Sequence, residues 1–486
     1  MKIKSIIFVL LSFFLLGYSG ISNSDNGTKN KRGTFFSEDK WDHSAAKKRH
    51  SQGKMGYSGG FIDVNGDGSE DLIIGAPDAG ASFRKRAASG LLITSKKGSA
   101  LAFLDLSDGF QYSWKKTGEN FGDNMGYSFA NLGDVDGDGK SDFAVSAVFA
   151  EGETSLSGSV YVYRGGHSSP LLLAKLTGSN AFDVFGYSIT GGDINGDGVN
   201  DIIVSARQAT GQYFQSGILY IYLGGPYISN TPDIIINESP AVLASHGQPA
   251  LGACLTTGDV NGDGISDLLA GDTYSVFIYF GKTDIVDHLN SDMTPDVEIK
   301  AANCRPKESL AFLGDISGDG IGDIAIGYSR SSTHKGNVYI VKGSDNLPDI
   351  LDPSVASDSD FFIKISGGAA TDKFGYSVAA AGDINGGGFP DLLVSAIWAE
   401  GDEGSNTPVG KVYLFYAEDL PGGADYDVSD AARTYTANIP FSEFGKTLSA
   451  GSNGTFFVGA PLADNYRGTA FVFDIITGSS TEIGTN

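Results

Sequence analysis

Six stretches of this chain crowd aspartates between glycines. They read DVNGDGSED from Asp63, DVDGDGKSD from Asp134, DINGDGVND from Asp193, DVNGDGISD from Asp259, DISGDGIGD from Asp315 and DINGGGFPD from Asp383. Carboxylates this close repel one another, and a bound cation would offset that repulsion. Positions 1, 3, 5 and 9 of the nonapeptides carry oxygen side chains, except position 5 of the last. These are Asp63, Asn65, Asp67 and Asp71, then Asp134, Asp136, Asp138 and Asp142, then Asp193, Asn195, Asp197 and Asp201. Next come Asp259, Asn261, Asp263 and Asp267, then Asp315, Ser317, Asp319 and Asp323, and last Asp383, Asn385 and Asp391. Glycines at positions 4 and 6 permit a tight turn. The odd spacing brings the side chains round one point. Several carboxylates on a flexible loop suit Ca²⁺, which takes 6–8 oxygens, better than Mg²⁺, which demands a tighter octahedron. The carbonyl at position 7, that of Val199 for example, is a further expected ligand.

Asp, Asn and Gly are also good turn formers without any ion. That accounts for one such hairpin. It does not, from sequence, account for an aspartate at position 9, beyond the turn, in all six copies. An EF-hand is excluded, because no glutamate stands at position 12 and strand-like sequence flanks each loop. Up to six Ca²⁺ sites are therefore expected, and they are unequal. The second loop has four carboxylates, and the first, third and fourth have three plus an asparagine. The fifth uses Ser317 at position 3. The sixth has Gly387 where an aspartate belongs, and is expected to be weakest or empty.

Each loop sits at the same place in a larger unit. Upstream comes Gly-Tyr-Ser, as at Gly56, Gly126, Gly186 and Gly375; downstream comes a short apolar run such as Ile202 to Ser205. After a variable loop follows an alternating segment, such as GSVYVYRGG from Gly158 or GILYIYLGG from Gly217. Valine, isoleucine and tyrosine at period two between glycines spell β-strands. A fourth apolar run, such as Leu171 to Leu176, closes the unit. One four-stranded sheet cannot bury both its faces, and stacking such sheets round an axis solves this. A seventh, degraded unit begins at Phe444-Gly445, carries GSNG in place of the acidic loop, and has GTAFVFD from Gly468 as its third strand. The expected fold is all-β: a seven-bladed β-propeller of four-stranded antiparallel blades over residues 54–480, with a polar tail at 481–486. A ring-closing strand near residues 34–36, within an N-terminal segment 21–53, is expected to complete the last blade.

Residues 1–20 read as a secretory signal. Lys2 and Lys4 precede an apolar run from Ile6 to Leu16, too short for the roughly 20 residues that span a bilayer. The chain is expected to be secreted or at the cell surface, or periplasmic in a bacterium, with no transmembrane anchor. Its formal net charge of −24 argues against nucleic acid as a partner. Cys254 and Cys304 are free to pair after export, though sequence does not show that they meet. Asn26, Asn237 and Asn453 lie in glycosylation sequons, and Lys47 to Arg49 and Arg84 to Arg86 form short basic runs.

These residues resemble the FG-GAP repeats of the integrin α-subunit N-terminal propeller. The resemblance rests on Phe185-Gly186, Phe374-Gly375 and Phe444-Gly445, on Gly75-Ala76-Pro77 and Gly459-Ala460-Pro461, and on VSA variants elsewhere. It covers roughly Lys54 to Asp474. It implies seven blades, Ca²⁺ held by positions 1, 3, 5 and 9, a ligand-binding face opposite the calcium loops, and a part in adhesion. Similar repeats accompany secreted enzymes such as glycosylphosphatidylinositol-specific phospholipase D, but no separate catalytic domain stands beside these. The motifs specify fold far better than function.

In an up-and-down blade the 1–2 turns, here the acidic loops, face away from the 2–3 loops. The aromatics Phe83, Phe149, Tyr213, Phe214 and Trp398 on those 2–3 loops are candidate ligand contacts, with packing on neighbouring loops the blander role. No histidine pair has metal-ligand spacing and no GxSxG elbow occurs. The expected function is a calcium-binding adhesion or ligand-binding module taking an extracellular protein or glycan, not an enzyme. A hydrolase or lyase working in the propeller channel and a structural surface component are the alternatives.

Overall fold

The computed structural model describes residues 53–484, apart from short segments at 80–81, 87–91, 107–108, 155, 168, 170, 212–214, 238–249, 292–293, 301–308, 330–334, 402–406, 423–424, 452–453 and 476–478. Seven sheets of four or five strands follow one another along the chain. Blade 1 is Ser58–Ile62, Asp71–Ala76, Ser99–Leu106 and Gly109–Thr117. Blade 2 is Met125–Gly133, Asp142–Ala147, Ser159–Arg164 and Leu171–Thr177, and blade 3 is Phe185–Gly192, Asp201–Ala206, Ile218–Tyr222 and Ile234–Asn237. Blade 4 is Cys254–Gly258, Asp267–Gly271, Ser275–Tyr279 and Val297–Lys300, and blade 5 is Leu310–Gly314, Asp323–Tyr328, Asn337–Val341 and Phe362–Ser366. Blade 6 is Phe374–Gly382, Asp391–Ala396, Lys411–Phe415 and Arg433–Tyr435, and blade 7 is Leu448–Ala450, Thr455–Ala460, Thr469–Asp474 and Ser479–Gly484. Consecutive strands within each blade pair antiparallel. Blades 4 and 5 each gain a short parallel strand at the outer edge, Ile350–Leu351 and Asp425–Asp427. Among the described residues no helix is long and apolar enough to cross a membrane.

Strand chemistry follows position in the blade. The second strand lies between two neighbours in its own sheet and between two adjacent sheets, so both of its faces are covered. Asp201–Ala206 is buried at every residue, and its Ile202-Ile203-Val204 run is continuous rather than alternating, as a doubly covered strand requires. The fourth strand is an edge. Leu171–Thr177 is exposed at its start and alternates buried with half-buried thereafter.

The hydrophobic core is distributed between blades. Seven apolar clusters each join one consecutive pair: Val162 with Ile202 between blades 2 and 3, for example, and Phe374 with Ile340 between blades 6 and 5. The last cluster sets Phe457, Ala470 and Val472 of blade 7 against Leu72, Ile74 and Phe103 of blade 1, so the stack closes on itself. The first strands of all seven blades face one central cavity of about 340 Å³.

The glycines of the repeat sit at the joint between blades. A Cβ on Gly75 would lie 2.2 Å from the carbonyl oxygen of Gly126 in the next blade, and one on Gly459 would lie 2.0 Å from that of Gly56. The same close approach therefore joins blade 1 to blade 2 and blade 7 back to blade 1. Where serine replaces the glycine, its partner is still glycine: a Cβ on Gly186 would stand 2.8 Å from Ser146 Cβ. Gly126 also has φ +86, where L side chains are strained. The Gly126→Ala variant should therefore lose about 2–4 kcal/mol, read as a lower urea midpoint at unchanged slope.

Blade 7 departs from expectation. Its outer strand is Ser479–Gly484, which pairs with Thr469–Asp474 over six residues. The polar tail expected from 481 is thus mostly strand. The segment SSTEIG buries Ile483 and leaves its serines exposed, so one apolar residue carries the pattern and the strand is hard to read from sequence. Residues 34–36, where a closing strand was expected, lie outside the described residues, as do the signal segment, Cys304 and the sequons at Asn26 and Asn453. Cys254 is a buried free thiol.

Candidate metal centres and the opposite face

Each acidic loop is held in shape by its own backbone. Asp63 at position 1 accepts the N–H groups of Gly66, Asp67 and Gly68 at 2.7, 3.2 and 2.9 Å. Asp134, Asp315 and Asp383 likewise accept three such donors. Asp193 and Asp259 each accept two. Asn65 at position 3 accepts from Asp67 N–H, and Asp67 at position 5 accepts from Ser69 N–H. The donor set is oxygen-rich and hard, so it fits Ca²⁺. In the second loop Asp134, Asp136 and Asp138 bring carboxylate oxygens within 4.8 Å of one another. In the first, third and fourth loops the position-3 asparagine donates its Nδ2 to the position-5 aspartate at 2.9, 3.0 and 3.0 Å. An ion entering there takes over that donor's role, and the amide must turn its oxygen inward.

Position 9 is different. Asp71, Asp142, Asp201, Asp267, Asp323 and Asp391 are all fully buried. One oxygen of Asp201 accepts Ile194 N–H at 3.1 Å and the other accepts Gly224 N–H at 2.9 Å. The first donor lies in the acidic loop and the second just past the third strand, so the carboxylate ties the 1–2 turn to the 3–4 loop. Asp142, Asp267 and Asp391 make the same pair of bonds, and Asp323 differs only in taking its loop donor from Ser317, one residue further on. Burial outweighs these donors and pushes the Asp201 and Asp267 carboxyls up to about 7, and those of Asp142 and Asp323 up to about 6. Asp391 is raised by burial as well. Position 9 thus recurs for a structural reason, and its recurrence alone does not argue for metal. Each oxygen keeps a second lone pair, so a ligand role remains open to it.

The second loop, richest in carboxylates, has a cation of its own. Arg164, at the end of the third strand of blade 2, pairs its guanidinium with Asp136, and its Nε lies 3.7 Å from Asp138. Its charge offsets part of the loop's own.

The opposite end of the ring carries another chemistry. The first strands run from Gly-Tyr-Ser toward the acidic loops, so the tyrosines ring the far mouth of the cavity. Tyr57 and Tyr127 have ring centroids 5.2 Å apart, and Tyr127 and Tyr187 5.6 Å apart. Lys446 of blade 7 donates to the hydroxyl of Tyr376 and sits 4.5 Å from that ring and 5.5 Å from that of Tyr57. Arg207 lies 5.1 Å from the Tyr187 ring. In the sequence these tyrosines serve only as repeat markers; the signal that finds them is their shared place at the start of the inner strand in blades 1, 2, 3 and 6. Sequence reading also passes over Asp123, Asp183 and Asp372, each three residues before the glycine of Gly-Tyr-Ser. They are buried and cap the turn between blades, Asp123 accepting from Asn120 N–H and Asp372 from Ala369 N–H.

Among the sequence candidates on this face, Trp398 is 37% exposed and has Lys373 Nζ 3.3 Å from its ring centroid. Phe149 is half-buried, its N–H donating to the Asp123 carbonyl. Phe83 lies on Ser82–Arg86, which pairs with Leu92–Lys96 as an extra hairpin inside the first 2–3 loop; its side chain, like Tyr213 and Phe214, falls outside the description. The basic run at Arg84 to Arg86 belongs to the same strand.

A family model for the FG-GAP repeat matches residues 55–90 and 185–222. The chain carries FG-GAP repeats and resembles the integrin α-subunit propeller. Integrin alpha-4 of Xenopus laevis is 28% identical over 264 residues, covering 52% of this chain and 23% of its own length. Integrin alpha pat-2 of Caenorhabditis briggsae is 27% identical over 244 residues, covering 45% of this chain and 18% of its own. Integrin alpha-PS2 of Drosophila melanogaster is 30% identical over 171 residues, covering 32% and 12% respectively. The FG-GAP chain thus spans under a quarter of the length of these relatives. The solved structure of Saccharomyces cerevisiae Sqt1 aligns over 90% of this chain and 87% of its own at 10% identity, with a TM-score of 0.45.

Proposed function

We propose that this propeller works outside the cell or at its surface as a calcium-dependent ligand-binding module, in the manner of an adhesion receptor's head. One observation carries the reading: the two ends of the ring are chemically distinct. One end presents six backbone-stiffened oxygen loops suited to Ca²⁺. The other presents a tyrosine collar and the long 2–3 loops with Trp398. Ions at the first end stiffen the blades, and the second end is left free to contact an extracellular protein or glycan. Resemblance to integrin α subunits supports the same division. Aromatic and cationic side chains at the mouth suit a polar, partly aromatic or acidic partner. The role is recognition rather than turnover.

A screen of glycans and matrix proteins, run with millimolar Ca²⁺ and again with EGTA, tests it. Binding that requires Ca²⁺ and weakens in Trp398→Ala is the expected result. Turnover of a polysaccharide or phosphoester would replace this reading with a channel enzyme. Self-association with no soluble ligand would replace it with a structural component.

A further inference from the structure

The sixth acidic loop lacks the position-5 aspartate, and a residue from elsewhere in the blade stands in its place. A Cβ built on Gly387 would lie 1.2 Å from Glu418 Oε1 and 2.3 Å from Glu418 Cδ. The Glu418 carboxyl therefore occupies the volume that a position-5 side chain fills in the other loops. It also takes the same hydrogen bond. Asn385 Nδ2 donates to Glu418 Oε2 at 2.9 Å, as the position-3 asparagines of the first, third and fourth loops donate to their position-5 aspartates at 2.9–3.0 Å. The rest of the loop is unaltered: Asn385 Oδ1 still accepts Gly387 N–H at 2.7 Å, and Asp383 still accepts from Gly386, Gly387 and Gly388.

The placement of Glu418 is anchored. The residue before it, Ala417, donates its N–H to Asp391 at 3.0 Å, the bond that ties the 3–4 loop to the acidic turn in blades 2 to 5 as well. The residues one step past the equivalent donor in blades 2 to 5 are Gly166, Gly225, Lys282 and Ser344. None is acidic. Among these five blades, a carboxylate reaches into the loop from this place only where the loop's own carboxylate is missing.

We infer that Glu418 supplies the carboxylate that Gly387 does not, so that the sixth loop is a complete divalent-cation site formed by Asp383, Asn385, Glu418 and Asp391. This rests on the calcium reading of the acidic loops and overturns, for this one, the expectation of a weak or empty site. The donor set is again hard oxygen with three carboxylates, the chemistry of Ca²⁺. A glutamate on a different loop makes the ion a clasp between the 1–2 and 3–4 loops of blade 6.

Calcium stoichiometry by native mass spectrometry and isothermal titration tests it, using the full chain and its Glu418→Gln, Glu418→Ala and Glu418→Ala/Gly387→Asp variants. Glu418→Ala should hold one ion fewer than the parent. Glu418→Gln, which keeps the shape, should weaken one site by about tenfold or more, since charge count tunes affinity. Restoring an aspartate at position 5 in the double variant, where the clash with Glu418 is gone, should restore the ion. Glu418 is exposed, so melting in EGTA should be alike for parent and Glu418→Gln, which separates ion loss from misfolding. A parent that binds ions while Glu418→Ala keeps the full count overturns the inference alone. A parent that binds none overturns the calcium reading with it.

Discussion

Removing divalent cations should lower the melting temperature of this protein by roughly 10 °C or more. Each ion bound at 100 times its dissociation constant stabilises the folded state by about 2.7 kcal/mol. The loops lie in separate blades, so their contributions add to a first approximation. Between six loops the total reaches about 10 kcal/mol even if only four are filled. The shared cores between consecutive blades make loss in one blade felt in its neighbours. Repulsion works in the same direction, because the stripped loops leave a chain of formal charge −24 with its carboxylates gathered at one end. Differential scanning calorimetry in EGTA against millimolar Ca²⁺ measures the shift. Matched ionic strength in KCl should not recover it, because monovalent ions screen charge without coordinating the loops. Superimposed curves would mean that the backbone donors alone hold the loops and that calcium has no structural part.

The ring was legible in the sequence because its signal is periodic. Six nonapeptides at 71, 59, 66, 56 and 68 residues apart mark one local event repeated, a turn between an inner strand and a fully buried second strand. What the sequence did not show are contacts made across the blade. Arg164 meets Asp136 from 28 residues downstream, and Glu418 meets Asn385 from 33. Both sit where the third strand ends, which the antiparallel register places beside the acidic turn. Counting carboxylates within each nonapeptide therefore ranked the second loop first and the sixth last. Adding the third-strand residues alters both ends of that ranking, giving the second loop an internal counter-charge and the sixth a third carboxylate. The tyrosine collar was hidden for a related reason: four residues spread over 320 positions, Tyr57 to Tyr376, become neighbours only when the ring closes.

The position-9 aspartates separate structural from metal-binding roles within one loop. Asp201→Ala should cost about 2–6 kcal/mol whether or not calcium is present. It strips the acceptor from Ile194 N–H and Gly224 N–H, and a buried donor left without a partner costs about 1–3 kcal/mol. It also leaves a void under a residue that is fully buried. Asp197→Ala, at position 5 of the same loop, removes an exposed carboxylate that accepts from Val199 N–H and Asn195 Nδ2, both within the loop. Its cost should be large in calcium and fall below about 1 kcal/mol in EGTA, because without the ion it is a surface change. Urea unfolding of both variants and the parent, with and without EGTA, closes the comparison as a cycle between residue and ion. The Asp201 loss should persist in both conditions and the Asp197 loss should vanish in one. If both losses vanished in EGTA, position 9 would be a ligand and no more. If neither did, the loop would be a purely protein-built turn. The predicted split sets two kinds of work four residues apart on one turn: position 9 ties blade to loop whether or not its spare lone pairs also face an ion, whereas position 5 serves the ion alone.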